Sequence, residues 1–259
     1  MPRPEDVVFP RQKERFDDRR KERQQRKLED EFFDQSTLLT ISRLITQGEF
    51  DAIDYPISTG KEGGVFRATG GDGFRAVKVY RIGNAIFRRL PLHVVDQLKR
   101  EVGLGNHARM IYAWTRREHT ILRRLATAEV RCPSPSGYLR NVLVMEFIGT
   151  EGVPAPKLQQ AVVTDPEALY ADLVEQIGRM VKKAHLVHGD LSPYNVLLRE
   201  QSPVLIDVAQ SIDWDHPQAH ALLYRDVANF ARYLVRRGVA TSPEDFFRAV
   251  GGETLPGAS

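Results

Sequence analysis

Cysteine is almost missing from this chain of 259 residues, where Cys132 stands alone. A single thiol excludes an internal disulfide and any zinc site built from several cysteines, so a reducing compartment is expected. No apolar run reaches the roughly 18 residues of a membrane-spanning helix. The opening Met1-Pro2-Arg3-Pro4-Glu5-Asp6 lacks the apolar segment of a secretory leader, and a cytoplasmic location is expected. Between residues 81 and 111 there is no serine, threonine or tyrosine. That segment therefore offers no hydroxyl for phosphorylation.

Charge of one sign is also lacking overall: 37 Lys and Arg against 34 Asp and Glu leave a net charge of +3. Its distribution is uneven. From Arg11 to Lys27 there are nine basic and four acidic residues, and from Leu28 to Asp34 four acidic residues and no basic one. Such a run reads first as a solvated helix or arm, and second as an RNA contact whose affinity falls with salt. With 42% hydrophobic residues the remainder can bury a core.

Three segments are expected: a charged extension with a short helix over 1–50, a nucleotide-binding half over 51–148, and a catalytic half over 149–259. Leu38, Leu39, Ile41, Leu44 and Ile45 have helical spacing, with Ser36 or Thr37 near the N-cap and Gly48 past the end. Alternation and glycine turns predict strands over 53–58, 65–68 and 74–80, with further strands over 142–148 and 204–208. Helices are predicted over 114–125 and 166–184, and a hinge near 145–149. The expected fold class is α+β, with a small antiparallel first half and a mainly helical second half.

The chemistry is concentrated in His188-Gly189-Asp190-Leu191-Ser192-Pro193-Tyr194-Asn195, followed by Asp207 within the apolar run Val204-Leu205-Ile206-Asp207-Val208. Phosphoryl transfer from ATP needs a carboxylate to orient and deprotonate the attacking hydroxyl, and oxygen ligands for the metal that neutralises the polyphosphate. Asp190, Asn195 and Asp207 supply that set. The Asp to Asn spacing is that of the protein-kinase catalytic loop, with Gly189 where most kinases carry arginine. A turn of Asp, Pro and Asn could give the same octet, but Asp207 weighs against it. A carboxylate in a buried strand is costly unless paired or metal-bound.

The same chemistry asks for a strand lysine, which Lys78 in Ala76-Val77-Lys78-Val79 provides, and a helical carboxylate to hold it, for which Glu118 is the candidate. The loop Ser58-Thr59-Gly60-Lys61-Glu62-Gly63-Gly64 can bring backbone N–H groups close to phosphates, or be a plain hairpin turn. Backbone groups of Glu146 and Ile148 could meet an adenine edge, with Met145 behind it.

Taken together, Ser58-Thr59-Gly60-Lys61-Glu62, Val77-Lys78-Val79-Tyr80, 144–149, 186–192, and Ile206-Asp207-Val208-Ala209-Gln210-Ser211 with Asp215-His216-Pro217 resemble the RIO family of atypical protein kinases, and its first subgroup in particular. The resemblance covers residues 35–240. It implies a kinase-like fold with a reduced activation segment and the cofactors ATP and Mg2+, with Mn2+ as a substitute. Asp190 is then the catalytic base, Asn195 and Asp207 bind metal, and Asp207 also serves as a transient phosphate acceptor. Ser58, Lys61, Val65, Lys78, Glu118, Met145, Glu146 and Ile148 form the nucleotide set. It further implies ATPase activity and a partner in the maturing small ribosomal subunit or its rRNA. Two other readings stand beside it: a small-molecule phosphotransferase of the aminoglycoside or choline kinase kind, and an ATP-sensing RNA-binding module with little catalysis.

Overall fold

The structure, a computed structural model, describes residues 32–60, 63–82, Val95, Leu98 and 107–256. The chain divides into two compact units, the first of residues 1–119 and 135–147, the second of 120–134 and 148–259.

The first unit opens with helix α1, Gln35–Thr46. Its cap is neither Ser36 nor Thr37 but Asp34, whose Oδ1 accepts from the Thr37 N–H at 2.7 Å. An N-cap oxygen must come from a residue still in extended conformation, and the chain is extended at Asp34. The helix stops short of Gly48, which takes φ 80°. Strands β1 (Ala52–Thr59), β2 (Gly63–Gly70) and β3 (Gly73–Tyr80) follow as an antiparallel meander. Helix α2, His107–Thr127, begins earlier than the expected Trp114. Strand β4, Pro135–Leu139, was not expected, and β5, Val142–Glu146, ends before the predicted residue 148. The sheet order is β1-β2-β3-β5-β4. One face packs Phe66, Val77, Val79, Val142 and Val144 against Ile41 and Leu44 of α1, with Phe32, Phe33 and Phe50. Burying each such large side chain contributes about 1.5–3 kcal/mol.

In the second unit β6 (Gly149–Thr150) pairs with β7 (Val153–Pro154). Helix α3, Pro166–Lys182, starts at an Asp165 cap with proline in its first turn. Its buried stripe, Leu169, Leu173, Ile177 and Val181, keeps the helical period. It lies against β8 (Leu186–Val187) and β10 (Ser202–Leu205). Strand β10 pairs with β9 (Val196–Arg199), and β8 pairs with β11 (Ile212–Asp213). Helix α4, Ala219–Val235, packs on α5, Pro243–Ala249. Among the described residues no helix is long and apolar enough to cross a membrane.

Candidate active site

In the first unit, Val65 pairs with Lys78, Lys78 with Leu143, and Ala76 with Met145. Directly opposed residues of an antiparallel ladder project from one face, and neighbours in a strand alternate. Because Phe66, Val77 and Val144 enter the core on the α1 face, Val65, Lys78 and Met145 share the other. Ser58, opposite Val65 in the register, is exposed.

Lys78 Nζ donates to Glu118 Oε1 at 2.7 Å, and the Tyr80 hydroxyl donates to Oε2. The Glu118 side chain is 2% exposed. A carboxylate so buried is costly without partners, and here both oxygens are satisfied. Burial first, and then the Glu118 charge, holds the Tyr80 phenol well above its ordinary range, so it remains a donor. The pair thus fixes a cation on the face that also carries Val65 and Met145.

Lys61 and Glu62 lie outside the described residues. Gly60 N–H donates to the Gly63 carbonyl at 2.9 Å across them. Gly63 and Gly64 belong to β2, and the ladder itself requires Gly63: a Cβ there would stand 2.3 Å from the Val79 carbonyl oxygen. A Cβ on Gly64 would press on the Phe66 and Phe32 rings. Both glycines therefore have a packing reason independent of any phosphate. Glu146 ends β5 opposite Arg75. Ile148, buried, falls in the second unit, where its carbonyl accepts from Ala155 N–H at 2.9 Å.

The second unit holds the octet 188–195. Asn195 Nδ2 donates to the Asp190 carbonyl at 2.8 Å and to Asp190 Oδ2 at 3.3 Å. The amide nitrogen is thereby committed, which leaves Asn195 Oδ1 as the atom a cation can take. Burial raises the Asp190 carboxyl above its ordinary range, against His188, Arg225 and the Asn195 hydrogen bond. Buried His188 places Nε2 at 3.0 Å from the Ile206 carbonyl. Burial also lowers this imidazole below its ordinary range. The neutral ring donates from Nε2 and ties the octet to the chain just before Asp207.

Asp207 itself corrects the sequence reading. β10 ends at Leu205, and Asp207 is exposed, left-handed at φ 58° and ψ 47°, and precedes a single 3-10 turn, Val208–Gln210. The penalty for burying a strand carboxylate therefore does not apply. Its left-handed backbone, shared with six other non-glycine residues among those described, is one that Asp tolerates better than most. Its charge reaches both Asp190 and His188.

Sequence reasoning assigned no role to four residues that hold this loop. From α4, Arg225 donates to the Gly189 carbonyl, Asp226 Oδ2 accepts from Gly189 N–H at 2.8 Å, and Asn229 Nδ2 donates to the Leu191 carbonyl at 3.4 Å. Burial pushes the Asp226 carboxyl up to about 7, against Arg225 and the Gly189 and Leu191 N–H groups. A signal for it exists, because Asp226 interrupts the core stripe Leu223, Val227, Phe230 of an amphipathic helix. The fourth is Gln210, whose Nε2 lies 3.4 Å from Asp190 Oδ2. Gly189 sits at φ 78°, where a side chain is strained, and a Cβ there would stand 3.2 Å from the Gln210 carbonyl oxygen, so this backbone disfavours the kinase arginine.

The donor chemistry suits a hard divalent cation. One carboxylate, that of Asp207, and the Asn195 amide oxygen match the partial shell that magnesium takes from protein when phosphates and water complete it. Among the described residues no three His, Cys, Asp or Glu side chains form a self-sufficient metal cage.

The RIO domain family matches residues 64–246. Among curated proteins, RIO-type serine/threonine-protein kinase Rio1 of Methanocaldococcus jannaschii is 34% identical over 94% of this chain and 84% of its own. The Rio1 of Haloferax volcanii is 38% identical over 91% of this chain and 81% of its own. The human RIO1 kinase is 35% identical over 89% of this chain and 41% of its own. Among solved structures, the ADP/Mg2+-phosphoaspartate complex of Rio2 kinase from Chaetomium thermophilum superposes with TM-score 0.64 at 24% identity, covering 86% of this chain and 67% of that one. That likeness makes the fold kinase-like and α+β. The chain is a member of the RIO family of kinase-fold, ATP-dependent phosphotransferases.

Proposed function

We propose that this chain moves the γ-phosphoryl group of ATP to a serine or threonine hydroxyl or to water. Asp190 takes the proton, Asn195 and Asp207 hold magnesium, and Lys78, steadied by Glu118, meets the α and β phosphates. Magnesium, when bound, neutralises the polyphosphate charge. In the transfer the acceptor oxygen bonds to the γ-phosphorus, the bond to the ADP oxygen breaks, and the acceptor proton passes to Asp190. Ser58, Lys61 and Val65 are assigned to the phosphate loop and its strand, and Met145, Glu146 and Ile148 to the adenine edge.

The observation that carries this reading is the Asn195 amide bound to both the carbonyl and the carboxylate of Asp190. It joins the base to a metal ligand in one loop, as phosphoryl transfer requires. Hydrolysis through Asp207 as transient acceptor is favoured by its exposed, left-handed placement, and by the short stretch from Val208 to Gln218 before α4, which leaves little chain for a peptide-binding segment. A related kinase structure is described as a phosphoaspartate complex. We assign the partner to the precursor of the small ribosomal subunit, on the family resemblance and the basic run from Arg11 to Lys27. With labelled ATP, Asp190→Asn and Asp207→Asn should each lower turnover by about 100-fold or more, the usual scale for an essential base or metal ligand. Turnover unchanged in both would remove the site assignment.

A further inference from the structure

Two amides address one oxygen of the catalytic carboxylate. Asn195 Nδ2 reaches Asp190 Oδ2 at 3.3 Å and Gln210 Nε2 reaches the same atom at 3.4 Å. Among the described residues no hydrogen bond goes to Oδ1. The backbone of Gln210 is itself held close to the loop it serves, since its carbonyl oxygen lies 3.2 Å from where a Cβ on Gly189 would be. The turn that carries it, Val208–Gln210, is closed by Ser211 N–H donating to the Val208 carbonyl at 2.9 Å. Its side chain therefore springs from a fixed point beside Asp190.

A carboxylate is symmetric, and rotation about its last torsion exchanges the two oxygens. Two donors on Oδ2 break that equivalence. They draw charge to the hydrogen-bonded oxygen and leave the other without a side-chain donor among the described residues. We propose that Gln210 is a positioning residue for phosphoryl transfer: with Asn195 it pins Oδ2, so that Oδ1 receives the acceptor proton. The proposal rests on Asp190 being the base, as assigned above. It also explains why the residue lies where it does. Asp207 and Gln210 bracket one 3-10 turn, so the metal ligand and the group that orients the base move as a unit.

Steady-state turnover of labelled ATP in the full chain, across a range of ATP and saturating magnesium, tests this with Gln210→Met, Gln210→Glu and Asp190→Asn. Methionine keeps the length and removes the donor; glutamate keeps the shape and sets a like charge against Oδ2. The expected result is a fall in kcat of about tenfold for Gln210→Met, the scale of one hydrogen bond to a charged group, and a larger fall for Gln210→Glu. The KM for ATP should stay within about twofold, because the lost interaction acts on the reacting oxygen and not on nucleotide binding. Wild-type kcat in both glutamine variants, with Asp190→Asn inactive, overturns the role of Gln210 and leaves the base assignment standing. Equal rises in KM accompanied by a lowered melting temperature also overturn it, as those mark general disruption of the loop. Full activity of Asp190→Asn overturns the base assignment, and this proposal with it.

Discussion

Asp226 occupies a position on α4 where spacing calls for an aliphatic residue, and its carboxylate instead holds the backbone of Gly189. That placement has a signature in pH. The ordinary carboxyl value is 3.8, and burial pushes the folded one up to about 7. Between these values the folded state keeps a proton that the unfolded chain has released, so this group makes stability fall as pH rises through that interval. His188 works in the opposite sense. Its folded value lies below the ordinary 6.5, so the unfolded chain takes the proton first and stability is lost as pH drops below that value. Asp226→Asn removes the first dependence and leaves the second. In urea unfolding at a series of pH values from about 5 to about 8, the variant should gain relative to the wild type as pH rises and level off above about 7. A constant difference across the series would show that the carboxyl is ionised throughout.

The strands and helices show which interactions a linear reading captures. α1, α3 and the β1–β3 meander were legible because their apolar residues keep a period of 3.6 or 2. The ladder also fixes a test: Gly63→Ala sets a methyl 2.3 Å from the Val79 carbonyl oxygen, and overpacking of this kind should cost about 1–3 kcal/mol in denaturant unfolding. A loss below about 0.5 kcal/mol, the level of an ordinary surface substitution, would mean that β2 and β3 separate without strain. Other elements were not legible. β4 begins Pro135-Ser136-Gly137, residues that disfavour strands, and forms only because β5 supplies the partner edge. The N-cap fell on Asp34 because the helix begins earlier than its apolar stripe. At the candidate site, the contacts between Lys78 and Glu118 and between Asp190 and Asn195 join residues that chemistry and spacing had already named. Asp207 was singled out for a burial it does not have. The contacts of Arg225, Asn229 and Gln210 with the loop remained hidden, since contacts made across the fold leave no local pattern in sequence.

At the scale of the whole molecule, net charge says little and its arrangement says more. Nine basic residues between Arg11 and Lys27 form the densest cationic run beside an otherwise balanced chain. If small-subunit rRNA is the partner, deleting residues 1–31 should weaken binding to a precursor rRNA fragment and flatten the salt dependence, since each phosphate contact adds about 0.9 to the slope of log K against log salt. An unaltered slope would place the RNA contact elsewhere or remove it. The fold also limits how such a partner could exert control. In ordinary protein kinases, phosphorylated activation segments are ordered through new pairs with arginine. Gly189 stands where the catalytic-loop arginine would be, with a left-handed backbone pressed against Gln210. Restoring that side chain would strain the left-handed backbone and push on the Gln210 carbonyl. An on-off signal written as a phosphate on the enzyme's own segment meets no arginine in the octet 188–195, so if the proposed partner is right, command over turnover falls to the nucleotide and to that partner.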